Sequence, residues 1–151
     1  MGWLSKRLGS ISRVGLDTTI FIYHFENHLI FAHMTQELLS SIEKGVRKGI
    51  TSSIILMEII VKPLPMGRND LARKYEALMM NFPNLEMVDL DRDVIRQAAG
   101  LRAEYRLRPP DALQVSACLL SGAGAFVTND RHLDRLKEKL DIVILEDLVE
   151  S

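Results

Sequence analysis

Short apolar runs alternate along the chain with longer segments in which apolar residues recur every three or four positions. Short apolar runs bounded by turn residues are typical of buried strands, and the longer period is typical of helices with one buried face. The runs predict strands at residues 14–16, 50–51, 85–90, 125–128 and 142–145. Because helical patterns separate these strands, we expect βα units and one parallel sheet of four or five strands.

The helical patterns have recognisable start and stop signals. Thr18 or Thr19 is expected to cap the first helix, and a loop is expected at residues 63–67, where two prolines and a glycine occur. The pair Pro109-Pro110 is expected to break the chain, so that the next helix begins at Asp111. The predicted helices cover residues 20–23, 31–46, 54–61, 69–82, 94–105, 111–121 and 130–140.

Length and composition fit a single α/β domain over residues 1–151, with residues 1–12 as a flexible N-terminal extension. Hydrophobic residues make up 47% of the chain, which is enough for a core. The single cysteine, Cys118, excludes an internal disulfide and a multi-cysteine zinc site. No apolar run approaches the roughly 18 residues of a membrane span, and the N-terminus lacks the continuous apolar stretch of a secretory signal. We therefore expect a cytoplasmic protein without membrane contact.

The charge of the chain does not identify a nucleic-acid partner. The formal net charge is −1, whereas nucleic-acid-binding proteins usually carry a basic excess. Arg102, Arg106 and Arg108 stand just before Asp111. They either contact RNA phosphates or form a solvated helix face, and the sequence leaves both interpretations open.

Four acidic residues are the candidates for chemistry. Asp17 directly follows a predicted strand, Asp130 lies two residues beyond the end of another, and Glu58 lies about one helical turn beyond a third. All three are therefore expected at or near the sheet edge where ligands bind in such folds. Asp111 opens a helix behind two prolines. Each aspartate also has a structural interpretation, as a helix cap or a turn residue.

Glu58 is harder to explain structurally, because it is the only charged residue in the apolar run 54–61. A buried carboxylate without a partner costs several kcal/mol, so Glu58 is expected to face an arginine or a polar cleft. Neighbouring carboxylates also need a counter-charge to ionise together. Because Mg²⁺ prefers oxygen ligands, the four acids predict a magnesium site.

Four segments resemble the PIN-domain family, and among its members the VapC-like toxin ribonucleases of toxin–antitoxin pairs. In the family's order, they are residues 15–22 (GLDTTIFI), 51–58 (TSSIILME), 110–117 (PDALQVSA) and 124–130 (GAFVTND). The resemblance implies a three-layer α/β/α PIN fold, a Mg²⁺ or Mn²⁺ cofactor and hydrolysis of RNA. It also implies a homodimer and an antitoxin protein that occupies the groove near the acids.

The resemblance assigns roles to individual residues. Those that match the family's catalytic and metal-binding acids are Asp17, Glu58, Asp111 and Asp130. Those that match its supporting positions are Thr18, Thr128 and Asn129. His132 departs from the pattern, because many relatives carry a further acid there. The number of metal ions, one or two, therefore stays open.

Two rival interpretations remain. A PIN-like domain without catalysis could bind RNA or protein, and the departure at His132 favours it, whereas the four intact acids favour an enzyme. A phosphotransfer receiver domain would need paired acids after its first strand, where this chain has only Asp17.

Overall fold

The strands of the computed structural model, which describes residues 2–149, form one parallel sheet. They are β1 (Arg13–Leu16), β2 (Lys48–Ser52), β3 (Leu85–Val88), β4 (Ala125–Thr128) and β5 (Asp141–Ile144). The order across the sheet is β3-β2-β1-β4-β5, with every neighbouring pair parallel. The predicted parallel sheet is confirmed, and it has five strands.

Helices connect the strands and cover both faces of the sheet. They are α1 (Trp3–Leu8), α2 (Thr18–Phe25), α3 (Ala32–Glu43), α4 (Ile54–Ile60), α5 (Asn69–Met80), α6 (Arg92–Tyr105), α7 (Pro109–Leu120) and α8 (Glu146–Val149). Two short 3₁₀ helices lie at Leu64–Met66 and Arg131–Leu136. The first lies in the predicted loop, and the second replaces most of the α-helix predicted for residues 130–140.

Alternate side chains of the strands enter two separate cores. In β4, Ala125 and Val127 pack into a core formed with α1 to α5, whereas Phe126 packs into a core formed with α6 and α7. This alternation is the period of two that a strand imposes on its side chains. Helices therefore pack on both faces, and the predicted three-layer α/β/α arrangement is confirmed.

The N-terminus departs from the predicted flexible extension. Residues 3–8 form α1, whose Leu4 and Leu8 are buried in the first core. Arg47 is also buried, and its guanidinium donates to the carbonyls of Ile11 and Gly9 beyond the end of α1. The apolar spacing of Leu4 and Leu8, four residues apart, is the signal for this short helix.

Two helix starts differ from their predictions. Helix α7 begins at Pro109 rather than at Asp111, because a proline in the first turn lacks only an N–H that has no helical partner there. Helix α2 is capped by Asp17, not by Thr18 or Thr19. No helix within residues 2–149 has the length and apolarity needed to cross a membrane.

Candidate metal centre

Asp17 lies at the carboxyl end of the central strand β1. One carboxylate oxygen accepts the backbone N–H of Thr18 at 2.8 Å, and the other accepts the hydroxyl of Thr128 at 2.5 Å. Its own backbone N–H donates to the carbonyl of Val127 in β4. The carboxylate is therefore fixed from both β4 and the first turn of α2.

The charge of Asp17 is unfavourable in this environment. Burial raises the pKa of its carboxyl to about 6, although the hydrogen bonds from Thr128 and Thr18 act against that rise. The carboxylates of Asp111 and Glu58 raise the pKa further. Their influence places both predicted acids in the neighbourhood of Asp17.

Glu58 reaches the same edge from the first turns of α4. The hydroxyl of Thr18 donates to its carboxylate at 2.5 Å, while the backbone N–H of Thr18 donates to Asp17. Thr18 thus connects two of the four acids, one through each of its donors. Glu58 was expected to pair with an arginine or to face a polar or metal-filled cleft; within residues 2–149 it forms no ion pair, and its hydrogen-bond partner is the Thr18 hydroxyl.

Asp111 lies in the first turn of α7 and is paired with an arginine. Both of its oxygens accept hydrogen bonds from the guanidinium of Arg108, at 3.0 and 3.3 Å. The Asp111 side chain is 13% exposed and that of Arg108 is 71% exposed. Hydrogen bonding to Asp111 raises the pKa of Arg108, and the charges of Asp130 and Glu58 act in the same direction. Arg108 therefore lies in the field of three of the acids.

Asp130 follows the end of β4. Its carboxylate accepts the backbone N–H of His132 at 3.0 Å, and its own backbone N–H donates to the Thr128 hydroxyl at 3.1 Å. Asp130 and Asp111 line the same cavity, which has a volume of about 290 Å³. The structure therefore brings Asp130 to the acidic edge of the sheet through Thr128.

Asn129 lies between these residues but is held by other parts of the fold. Its side-chain oxygen accepts the backbone N–H of Glu146 at 2.9 Å, and its side-chain nitrogen donates to the Tyr23 hydroxyl at 3.2 Å. Asn129 thus ties the end of β4 to α2 and α8. These contacts indicate that Asn129 supports the end of β4 rather than binding a metal ion.

The donor set suits a hard divalent cation. All four candidate side chains are carboxylates, and oxygen ligands are those that Mg²⁺ and Mn²⁺ prefer. Within residues 2–149, however, no three acidic, histidine or cysteine side chains form a set that could hold one metal ion together. The residues fit magnesium by chemistry, while the Arg108 guanidinium provides the positive charge beside Asp111.

Gln114 belongs to the site's framework and was missed in the sequence. It is 2% exposed, and its side-chain oxygen accepts the Ser52 backbone N–H at 2.7 Å and the Thr51 hydroxyl at 3.3 Å. These bonds join α7, which carries Asp111, to the end of β2. A polar side chain inside the apolar helix pattern after Asp111 was the available signal.

Comparison with known proteins identifies the family. The PIN domain family model matches residues 14–139, which is most of the chain. No curated protein is detectably similar to the chain in sequence.

Solved structures share the fold at low sequence identity. A chain of VapBC2 from Rickettsia felis, bound to a DNA fragment from its promoter, matches with a TM-score of 0.66 and 21% identity over 86% of this chain and 96% of that chain. A chain of DNA-bound VapBC from Salmonella typhimurium matches with a TM-score of 0.62 and 23% identity, over 89% of this chain and 99% of that chain. A chain of VapBC-5 from Mycobacterium tuberculosis, a member of the VapBC family of toxin-antitoxin systems, matches with a TM-score of 0.57 and 18% identity. The match covers 88% of this chain and 98% of that chain. Because the family model covers residues 14–139 and the structure has the predicted α/β/α arrangement, the chain belongs to the PIN-domain family.

Proposed function

We propose that the protein is a metal-dependent endoribonuclease that hydrolyses RNA phosphodiester bonds. PIN domains are a family of nucleases, which gives the general class of activity. The observation that carries the proposal is the position of the Asp17 carboxylate, fixed by Thr18 and Thr128 at the edge of the sheet beside further acids. If Asp17 only capped α2, it would not need the neighbouring carboxylates, because they make the negative charge of Asp17 less favourable.

The side chains have distinct roles in this proposal. Asp17, Asp111 and Asp130 would hold Mg²⁺ or Mn²⁺, and Glu58 would either bind the ion or orient the attacking water. A bound divalent ion lowers the pKa of water and offsets negative charge on the phosphate. Thr18 fixes the carboxylate of Glu58, and the guanidinium of Arg108 neutralises the charge of Asp111.

The proposal includes partners. We infer that the protein is the toxin of a type II toxin–antitoxin pair, that it acts as a cytoplasmic homodimer, and that an antitoxin protein inhibits it. The fold shared with chains of VapBC complexes supports this inference. We expect the antitoxin to occupy the groove near the acids.

One observation favours a second function, a PIN-like module that binds RNA or protein without cleaving RNA. Asp111 is paired with Arg108, and the acids within residues 2–149 do not form a three-ligand set. A binding module needs no divalent ion, so metal dependence separates the two functions.

Cleavage of a mixed cellular RNA pool tests the proposal. Purified protein is incubated with Mg²⁺, Mn²⁺ or EDTA, beside the variants Asp111→Asn and Asp93→Asn. Asp93 is the matched control because it forms an ion pair with Arg96 at the same i,i+3 spacing, on the exposed start of α6. We expect metal-dependent cleavage that Asp111→Asn abolishes and Asp93→Asn retains, with both variants folded by circular dichroism.

Two outcomes would contradict the proposal in different ways. Full activity of the Asp111→Asn variant would remove Asp111 from the site. Absence of cleavage with either metal, from folded protein free of antitoxin, would favour the binding module.

A further inference from the structure

The cavity beside Asp111 and Asp130 has a basic side as well as an acidic one. Its volume is about 290 Å³, and Arg106, Arg108 and Arg135 also line it. Three guanidinium groups therefore stand next to two carboxylates, although the chain as a whole has a net charge of −1. The sequence left open whether the arginines contact RNA phosphates or form a solvated helix face, and this arrangement supports the first interpretation for those that line the cavity.

The arginines before Asp111 have different tasks. Arg102 donates from its Nε to the carbonyl of Leu107 at 3.0 Å, which closes the end of α6. Arg108 is engaged by Asp111. Within residues 2–149, the guanidinium of Arg106 makes no hydrogen bond or ion pair, and the residue is exposed. Within those residues, Arg106 is thus the member of the group whose guanidinium is available to a ligand.

Arg135 and His132 reach the cavity from the 3₁₀ helix that follows Asp130. One terminal nitrogen of Arg135 donates to the carbonyl of Tyr105 at 2.7 Å, which anchors the guanidinium beside the end of α6. An arginine has five N–H donors, so most of them remain for another acceptor. His132 lines the same cavity.

The backbone of Arg106 supports a role for its side chain. Arg106 ends α6 in the left-handed conformation, with φ of 57° and ψ of 43°. Glycine is the usual residue there, because a side chain in this conformation costs about 1 kcal/mol. An arginine at such a position, lining a cavity, is an outlier that points toward function.

We propose that Arg106 and Arg135, with His132 beside them, form a subsite for a backbone phosphate of the RNA strand, next to the phosphate that is cleaved. The proposal rests on the ribonuclease function proposed above. Guanidinium groups recognise phosphate through paired N–H donors. Because the contact is to the backbone, it positions the strand without reading its sequence.

The position of the subsite favours RNA over an acidic peptide. Asp111 and Asp130 line the same cavity, so a strand whose phosphate reaches these acids continues directly into the basic side. A carboxylate of an antitoxin could pair with the same arginines, and the test below distinguishes this alternative.

The variant Arg106→Gly gives a sharp test, because glycine suits the left-handed backbone and removes only the head group. The probe is a fluorescent single-stranded RNA oligonucleotide in EDTA, measured by anisotropy over a range of salt concentrations. Arg96→Gln, on the exposed face at the start of α6, is the control. We expect Arg106→Gly to weaken binding roughly threefold to tenfold and to reduce the salt slope by about 0.7, as loss of one phosphate contact does for single strands. Its melting temperature should equal or exceed that of the wild type.

Arg135→Gln should weaken RNA binding by a similar factor, and its effect should add to that of Arg106→Gly in the double variant. Binding by Arg106→Gly equal to that of Arg96→Gln would overturn the subsite, as would wild-type protein that does not bind RNA. Unchanged RNA binding with loss of inhibition by the co-expressed antitoxin would also overturn it, and would assign the cavity to an acidic peptide. The ribonuclease function is tested separately by cleavage with Mg²⁺ or Mn²⁺, so a protein that binds through Arg106 without cleaving would fail only that proposal.

Discussion

The hydroxyl of Thr128 donates a 2.5 Å hydrogen bond to the carboxylate of Asp17. The same oxygen accepts the backbone N–H of Asp130 at 3.1 Å. One buried hydroxyl therefore sets the positions of two proposed metal ligands, one from β1 and one beyond β4. Residues that orient metal ligands in this way commonly affect metal affinity as strongly as some ligands do.

Replacing Thr128 by valine keeps the shape of the side chain and removes both hydrogen bonds. We expect Mn²⁺ affinity, measured by isothermal titration calorimetry, to fall about tenfold to a hundredfold. Thermal unfolding should also show a loss of roughly 1–3 kcal/mol, because Thr128 is fully buried and its partners lose a bond.

The variant Thr128→Ser is the control for this prediction, because it retains the hydroxyl. It should recover most of the Mn²⁺ affinity, even where the lost methyl group lowers stability. Wild-type affinity in Thr128→Val would show that the hydroxyl has no part in positioning a ligand.

Arg108 acts as an internal counter-ion for Asp111, so it competes with a divalent ion for that carboxylate. We expect Arg108→Gln to raise Mn²⁺ affinity roughly twofold to fivefold, which corresponds to the ~0.4–1 kcal/mol of a partly exposed ion pair. Calorimetry in low salt measures the change. Arg96→Gln removes a pair of the same spacing away from the acids and should leave the affinity unaltered. A weaker affinity in Arg108→Gln would mean that Arg108 helps to organise the site.

The sequence predicted the sheet and the position of two acids near its edge because both depend on local patterns. An acid that closely follows an apolar strand falls near the sheet edge whatever the details of packing, as Asp17 and Asp130 do. The start of α7 was predicted two residues late, because Pro109 has opposite effects before a helix and in its first turn. Which of the two effects prevails at Pro109 depends on tertiary contacts.

Other parts of the site depend on contacts between distant residues. Arg135 stands 24 positions beyond Asp111, and only the fold brings both to one cavity. Likewise, the role of Gln114 follows from its hydrogen bond to the end of β2, which no local sequence pattern predicts. The pairing of Arg108 with Asp111 lies within one helical turn, but the nearby charges of Asp130 and Glu58 come from distant parts of the chain.

Gln114 gives a prediction about the connection between α7 and β2. Leucine in its place would leave the buried Ser52 N–H without its acceptor, which costs roughly 1–3 kcal/mol of unfolding free energy. Urea unfolding of Gln114→Leu measures this loss, and Gln36→Leu on the exposed face of α3 is the control. Because α7 carries Asp111, we also expect weaker Mn²⁺ binding in Gln114→Leu. Equal stability of the two variants would show that the bond to Ser52 contributes nothing.

The raised pKa of Asp17 predicts how the stability of the metal-free protein changes with pH. The pKa rises from 3.8 in the unfolded chain to about 6 in the fold, chiefly through burial, so the protonated carboxyl favours the folded state. The contribution of Asp17 is therefore fully present below pH 3.8 and is lost as pH rises through about 6, with a total on the order of 3 kcal/mol.

Urea unfolding in EDTA at several pH values, compared between wild type and Asp17→Asn, isolates this contribution from that of other acids. We expect the stability of the wild type relative to Asp17→Asn to decline across that window, and saturating Mg²⁺ to recover part of it at pH 7.5, where the ion stabilises the charged carboxylate. A difference that does not vary with pH would show that Asp17 ionises as it does in an unfolded chain.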